Sequence, residues 1–176
     1  RNISHDVFTH LKTLQIIDLS RNEISSIERG TFDQNKLLRA IRLDGNEIRE
    51  IDGVFSNLPE LIWLNVSENH IKNFDYALVP RTLAWLDISH NMVEDLGNYF
   101  DLSGDLSLTY LNAGFNKLSS LAPVNVPDSV ETLLLNDNSI TQVLPYTFFK
   151  KAKLIKVDLT VNEISSITQT ALRLSS

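Results

Sequence analysis

Seven asparagines recur along the chain at almost constant intervals: Asn22, Asn46, Asn69, Asn91, Asn116, Asn138 and Asn162, separated by 24, 23, 22, 25, 22 and 24 residues. The same aliphatic frame surrounds each. Eight positions before lie Leu14, Leu38, Leu61, Leu83, Leu108, Val130 and Leu154. Five before lie Ile17, Ile41, Leu64, Leu86, Leu111, Leu133 and Val157. Three before lie Leu19, Leu43, Val66, Ile88, Ala113, Leu135 and Leu159, and two after lie Ile24, Ile48, Ile71, Val93, Leu118, Ile140 and Ile164. A frame held over seven copies dictates a stack, because one such block cannot bury its apolar edge alone and must pack on its neighbours.

Written out, the frame is LxxLxLxxNxL, which resembles the leucine-rich repeat. The resemblance implies an α/β solenoid, a curved horseshoe segment with a parallel concave β-sheet and an irregular or short-helical convex side. Within each block the central residues alternate at the strand period of two, so the aliphatics point inward and the intervening residues outward. Seven strands stacked ~4.8 Å apart make a strip roughly 30 Å long. Each asparagine follows its strand at a turn, where an amide can both donate to and accept from backbone groups the turn leaves unpaired. The seven asparagines are therefore expected to form a structural ladder.

With 176 residues, 43% hydrophobic, the chain can build one domain with a sizeable core. A net charge of -6 and the lack of a basic stripe argue against nucleic acid. No apolar run approaches the ~20 residues that span a bilayer. There are no cysteines. Phe8 fills the slot that Phe32 fills one block later, and Ile3 matches Ile27, so residues 1–11 read as the back half of a repeat. The expectation is a single array over residues 1–176, a partial repeat and then seven repeats, excised from a longer array whose caps and membrane anchor lie outside it. Such a piece, expressed alone, is expected to be poorly soluble or to fray at both ends.

The convex half varies with block length. Ile27, Phe32, Ile51, Phe55 and Phe148 are expected to continue the core behind the sheet. Pro80 and Pro127 stand in the same register of the two 22-residue blocks, and their fixed φ predicts extended, non-helical backs there. The 25-residue block carries Gly97, Ser103 and Gly104, a place for a small bulge.

Function on such a scaffold falls to the outward rows. Six residues before the asparagines the row reads Ile16, Ala40, Trp63, Trp85, Tyr110, Thr132 and Lys156. Trp63, Trp85 and Tyr110 predict an exposed aromatic stripe, suited to protein contact; the plainer reading is that they stack on one another and simply stabilise adjacent strands. The row four before the asparagines, Asp18, Arg42, Asn65, Asp87, Asn112, Leu134 and Asp158, reads as a solvated face. Asn2-Ile3-Ser4 and Asn65-Val66-Ser67 are glycosylation sequons. A glycan on Asn65 would stand in the concave sheet beside Trp63 and push a partner to the lateral edges.

Catalysis finds no support: GxSxG, HExxH, a glycine-rich phosphate loop and a cysteine nucleophile are all missing. His70 and His90 flank ladder asparagines and are expected to face water. Asp101 and Asp105 share a loop with Gly104 but lack the EF-hand pattern, so no metal and no cofactor is expected.

The irregular segments are more specific. Phe74-Asp75-Tyr76-Ala77-Leu78-Val79-Pro80, Leu83-Ala84-Trp85-Leu86-Asp87-Ile88, Leu96-Gly97-Asn98-Tyr99-Phe100, Val130-Glu131-Thr132-Leu133-Leu134-Leu135-Asn136-Asp137-Asn138, Pro145-Tyr146-Thr147-Phe148-Phe149-Lys150-Lys151 and Ala171-Leu172-Arg173-Leu174-Ser175 resemble the ectodomain of the arthropod Toll receptors, in particular their long-ectodomain, 18-wheeler-like branch. The resemblance covers nearly the whole chain. It implies a cell-surface, single-pass receptor whose extracellular array binds protein: a cystine-knot cytokine of the Spätzle type, another receptor, or a second copy in a dimer, in innate immunity or development. The competing reading is a structural or cell-adhesion leucine-rich-repeat protein that does not signal.

Overall fold

The computed structural model describes residues 1–172, so the Arg173-Leu174-Ser175 portion of the last resembling segment lies outside the described residues. The aliphatic frame produces seven three-residue strands: Ile16–Asp18, Ala40–Arg42, Trp63–Asn65, Trp85–Asp87, Tyr110–Asn112, Thr132–Leu134 and Lys156–Asp158. They pair in chain order into one parallel sheet, each in register with the next. Every block therefore makes one turn of a leucine-rich-repeat solenoid.

The first six strands alternate out, in, out, as a period of two requires, while in the last the central Val157 is 36% exposed. Ile41, Leu64, Leu86, Leu111 and Leu133, at their centres, are fully buried. The next aliphatic layer, Leu43, Val66, Ile88, Ala113 and Leu135, is equally closed, and Ile48, Ile71, Val93, Leu118 and Ile140 fill the turn beyond it. Leu19 and Leu159, just past the outermost strands, are only partly buried, because the sheet ends with those strands. Behind the sheet Phe32 stacks between Phe8 and Phe55, with ring centroids 5.7 and 6.2 Å apart.

The convex side carries two short parallel pairs, Asn2–Ile3 with Ser26–Ile27 and Ser120–Leu121 with Gln142–Val143. Its helical content is a set of 3-10 turns at Tyr76–Leu78, Tyr99–Asp101, Pro123–Asn125 and Gln169–Leu172, with no α-helix among the described residues. The expectation of non-helical backs near Pro80 and Pro127 is corrected here, since each proline closes a 3-10 turn. Proline restricts only its predecessor: Val79 and Val126 are extended, with φ of -119° and -114°, while the turns finish one residue earlier. Asp75 starts the first turn by accepting from the Ala77 N–H at 2.9 Å, and Pro123 starts the other, where its missing N–H leaves nothing unpaired. In the longest block Gly97 and Gly104 take φ of +84° and +114°, which lets the loop swing outward.

Candidate functional site

Where each strand ends, the chain must turn sharply so that the asparagine points back into the stack. The residue just before each asparagine does this in the left-handed region. Arg21, Glu68, His90, Phe115, Asp137 and Val161 have φ between 52° and 56°, and Gly45 has 70°. Hydrogen bonds to the next repeat fix the turn: the Arg21, His90 and Phe115 N–H groups donate to the Asp44, Gly114 and Asn136 carbonyls at 2.8, 3.0 and 2.9 Å.

The asparagine side chains then bridge repeats. Asn91 donates to the Ile88 carbonyl of its own repeat and the Val66 carbonyl of the preceding one, both at 3.0 Å, and accepts from the Ile71 N–H at 2.9 Å. Asn46, Asn69, Asn116, Asn138 and Asn162 repeat the pattern, accepting from Ile24, Ile48, Val93, Leu118 and Ile140. Asn22 makes bonds to Leu19 and Ser20 in its own repeat.

On the concave side the row four before the asparagines is occupied with turn chemistry. Asp18, Asn65, Asp87, Asn112 and Asp158 each accept from the backbone N–H two residues on, at 2.9 to 3.0 Å. The Ser20 hydroxyl and N–H hold Asp18 below the usual carboxylate range, and the Thr160 N–H and hydroxyl do the same for Asp158. Arg42 grips Asp44 through two nitrogens, at 3.1 and 3.0 Å. The polar face is thus a structural row as well as a wet one.

The aromatic row is different. Trp63, Trp85 and Tyr110 stack face to face, with centroids 4.5 and 5.0 Å apart and planes within 8° and 3° of parallel. The expected exposed stripe is corrected to a half-buried one, because each ring covers its neighbour's face and leaves its edge outward. Asn65 lies two residues beyond Trp63, half-buried, with its Oδ1 engaged by the Ser67 N–H. Asn2 is exposed on the convex side, where its Oδ1 accepts from the Ser26 hydroxyl at 2.8 Å.

Three features escape the row-by-row reading. His90 and Phe115, both left-handed and exposed, stack with centroids 4.1 Å apart; reading the position before each asparagine as another row finds this pair. On the convex side Lys151, only 4% exposed, donates to Asp128 at 2.8 Å and to the Tyr99 hydroxyl, and sits 4.5 Å from the Tyr99 ring centre. Burial pushes the Asp128 carboxyl up, but the Lys151 and Tyr99 hydrogen bonds outweigh it and hold the group below its ordinary range. Tyr76, fully buried and so kept protonated, donates to the Asn125 carbonyl two repeats on at 2.6 Å. No sequence period marks these last two, since each joins irregular loops.

No group of three or more acidic, histidine or cysteine side chains suited to a metal occurs among the described residues, and no described helix is long and apolar enough to cross a membrane. The geometry defines a leucine-rich-repeat solenoid with a parallel concave sheet. A leucine-rich-repeat family model matches residues 1–48. Toll-like receptor 7 of Drosophila melanogaster is 44% identical over 132 residues, 75% of this chain and 9% of that protein. Lumican of Rattus norvegicus is 30% identical over 167 residues, 93% of this chain and 48% of that protein. Among solved structures, the glycosylated Drosophila Toll–Spatzle complex superposes with a TM-score of 0.70 at 25% identity, over 93% of this chain and 26% of that one. The leucine-rich-repeat domain of APL1B gives 0.72 at 24% identity, over 98% and 58%, and speaks to fold alone. The chain therefore spans under half the length of these curated relatives. It is a leucine-rich-repeat segment with homology to Toll receptors.

Proposed function

We propose that this chain is an extracellular protein-recognition segment of a Toll-type, single-pass cell-surface receptor of the long-ectodomain branch, lying within a longer repeat array. Its concave aromatic row, Trp63, Trp85 and Tyr110, contacts a protein: a Spätzle-like cystine-knot cytokine, another cell-surface receptor, or a second copy in a dimer, in innate-immune or developmental signalling. The observation that supports this reading best is the 44% identity to a Toll-like receptor, well above the 30% to lumican. Asn2 and Asn65 are proposed glycan sites, the second of which trims access to the concave row. No catalytic group takes part.

The test displays the intact protein on insect cells and offers it soluble Spätzle-class cytokine, cells bearing a second copy, and a cell-free extracellular matrix. Saturable binding to the cytokine or to the second copy supports the proposal. Binding to the matrix alone favours the second reading, a matrix or adhesion protein, which the similarity to lumican and to mimecan of Coturnix japonica (34% identical over 131 residues) supports.

A further inference from the structure

The three-ring stack has one of its two ends at Trp63. Because Trp63 and Trp85 are nearly parallel at 4.5 Å, close to the ~4.8 Å strand spacing, their ring normals run along the array. The free face of Trp63 is therefore turned towards the strand that pairs with its own, where the registered residue is Ala40. Ala40 is registered in turn with Ile16, which is 69% exposed. A methyl group thus stands where the next ring of the stack would be, between an indole face and an isoleucine. The result is an apolar recess of about 590 Å³, bordered by Ile16, Arg39, Ala40, Arg42, Ile62 and Trp63.

Its chemistry narrows what enters. An indole face that already stacks on one side favours a flat ring on the other. Two arginines, Arg39 and Arg42, also border the recess. Arg42 is already satisfied by Asp44, but Arg39 is exposed and has no carboxylate partner among the described residues. A neutral aromatic alone leaves that charge unused, whereas a ring with a carboxylate beside it meets both the face and the charge.

We propose that the recess over Ala40 is a binding slot for an aromatic side chain of a protein partner, flanked in its own sequence by an acidic residue. The slot completes the stack as a fourth ring and pairs the carboxylate with Arg39. This deepens the protein-recognition reading and rests on it for the source of the ring, though the slot itself can be probed without any protein partner.

The probe is indole-3-acetate, a flat ring carrying a carboxylate, offered to the intact protein and read by saturation-transfer NMR, before and after enzymatic removal of N-glycans. Saturable binding is expected in both forms. Cyclohexylacetate, with the same charge and no flat ring, should bind roughly tenfold more weakly, the size of one aromatic contact. Ala40→Trp, which fills the slot, and Trp63→Leu, which removes its wall, should each abolish the signal. Arg39→Glu should weaken binding by about fivefold, as for one partly exposed ion pair. A missing signal, or one that survives both Ala40→Trp and Trp63→Leu, overturns the slot. A signal seen only after deglycosylation makes the sugar on Asn65 the natural occupant and also overturns it. Failure here leaves the cell-binding result untouched, so the two readings fail separately.

Discussion

Trp63 and Trp85 occupy the same register on adjacent parallel strands, and their indoles lie 4.5 Å apart with planes 8° from parallel. Stacking and contact are usually set against each other as explanations of such a row. Here they are compatible: stacking immobilises the rings before any partner arrives, which lowers the ordering cost of binding.

Two indoles stacked face to face this closely should absorb less ultraviolet light than two isolated indoles, the hypochromism of parallel stacked rings. Trp63→Ala and Trp85→Ala are each expected to remove this deficit while the circular dichroism of the sheet stays. Trp85→Ala should cost more stability, about 1–2 kcal/mol, because Trp85 touches rings on both sides. Absorption that falls in either variant by as much as one isolated indole would mean that the rings do not stack.

The column of left-handed residues predicts substitutions of opposite sign. Val161, with φ of 53° and 70% exposure, is a β-branched residue in a conformation that disfavours it, so Val161→Gly should stabilise the fold by about 0.5–1 kcal/mol. Gly45→Val should destabilise it by about 2 kcal/mol. That side chain meets the same φ penalty, and its Cβ would lie 3.2 Å from Arg21 Cγ. Denaturant unfolding of the two variants measures both.

Much of this was legible in the chain, and the reason is periodicity. Leu64, Leu86 and Leu111 could be assigned to the core, and Trp63, Trp85 and Tyr110 to one face, because every repeat repeats the constraint. The 3-10 turns before Pro80 and Pro127 were not, since Pro80 and Pro127 are similar only to each other and their effect ends one residue upstream. The recess over Ala40 needed ring orientation as well as position: a row of letters does not say which way an indole face turns.

The ladder predicts a large loss from a small change. Asn91→Ala strips the buried Ile71 N–H of its acceptor and takes one of two amide donors from each of the Val66 and Ile88 carbonyls, which keep Asn69 and Asn116. A cost of about 3 kcal/mol is expected. Asn22→Ala, at a position whose bonds stay within its own repeat, should cost about 1 kcal/mol. Thermal melts of the pair give the comparison, and equal losses would contradict the inter-repeat role.

Lys151 and Asp128 make stability depend on pH. The folded state holds Asp128 below its ordinary range, so the carboxylate stabilises the fold above its unfolded pKa, and that contribution is lost as pH falls through the folded value. Asp128→Asn should cost about 1–2 kcal/mol near neutrality, less than a fully buried pair because Asp128 keeps 72% of its surface. The difference between wild type and variant should vanish in acid; a gap that persists well below the carboxylate range would rule out the pair as its cause.

The most direct measurement is hydroxyl-radical footprinting of the intact protein, free and saturated with a Spätzle-class cytokine. A partner seated in the concave sheet predicts that Trp63, Trp85 and Tyr110 lose reactivity together while Phe100 and Tyr146, exposed on the convex loops, keep theirs. Protection of Phe100 or Tyr146 with the three concave rings unchanged would contradict the account.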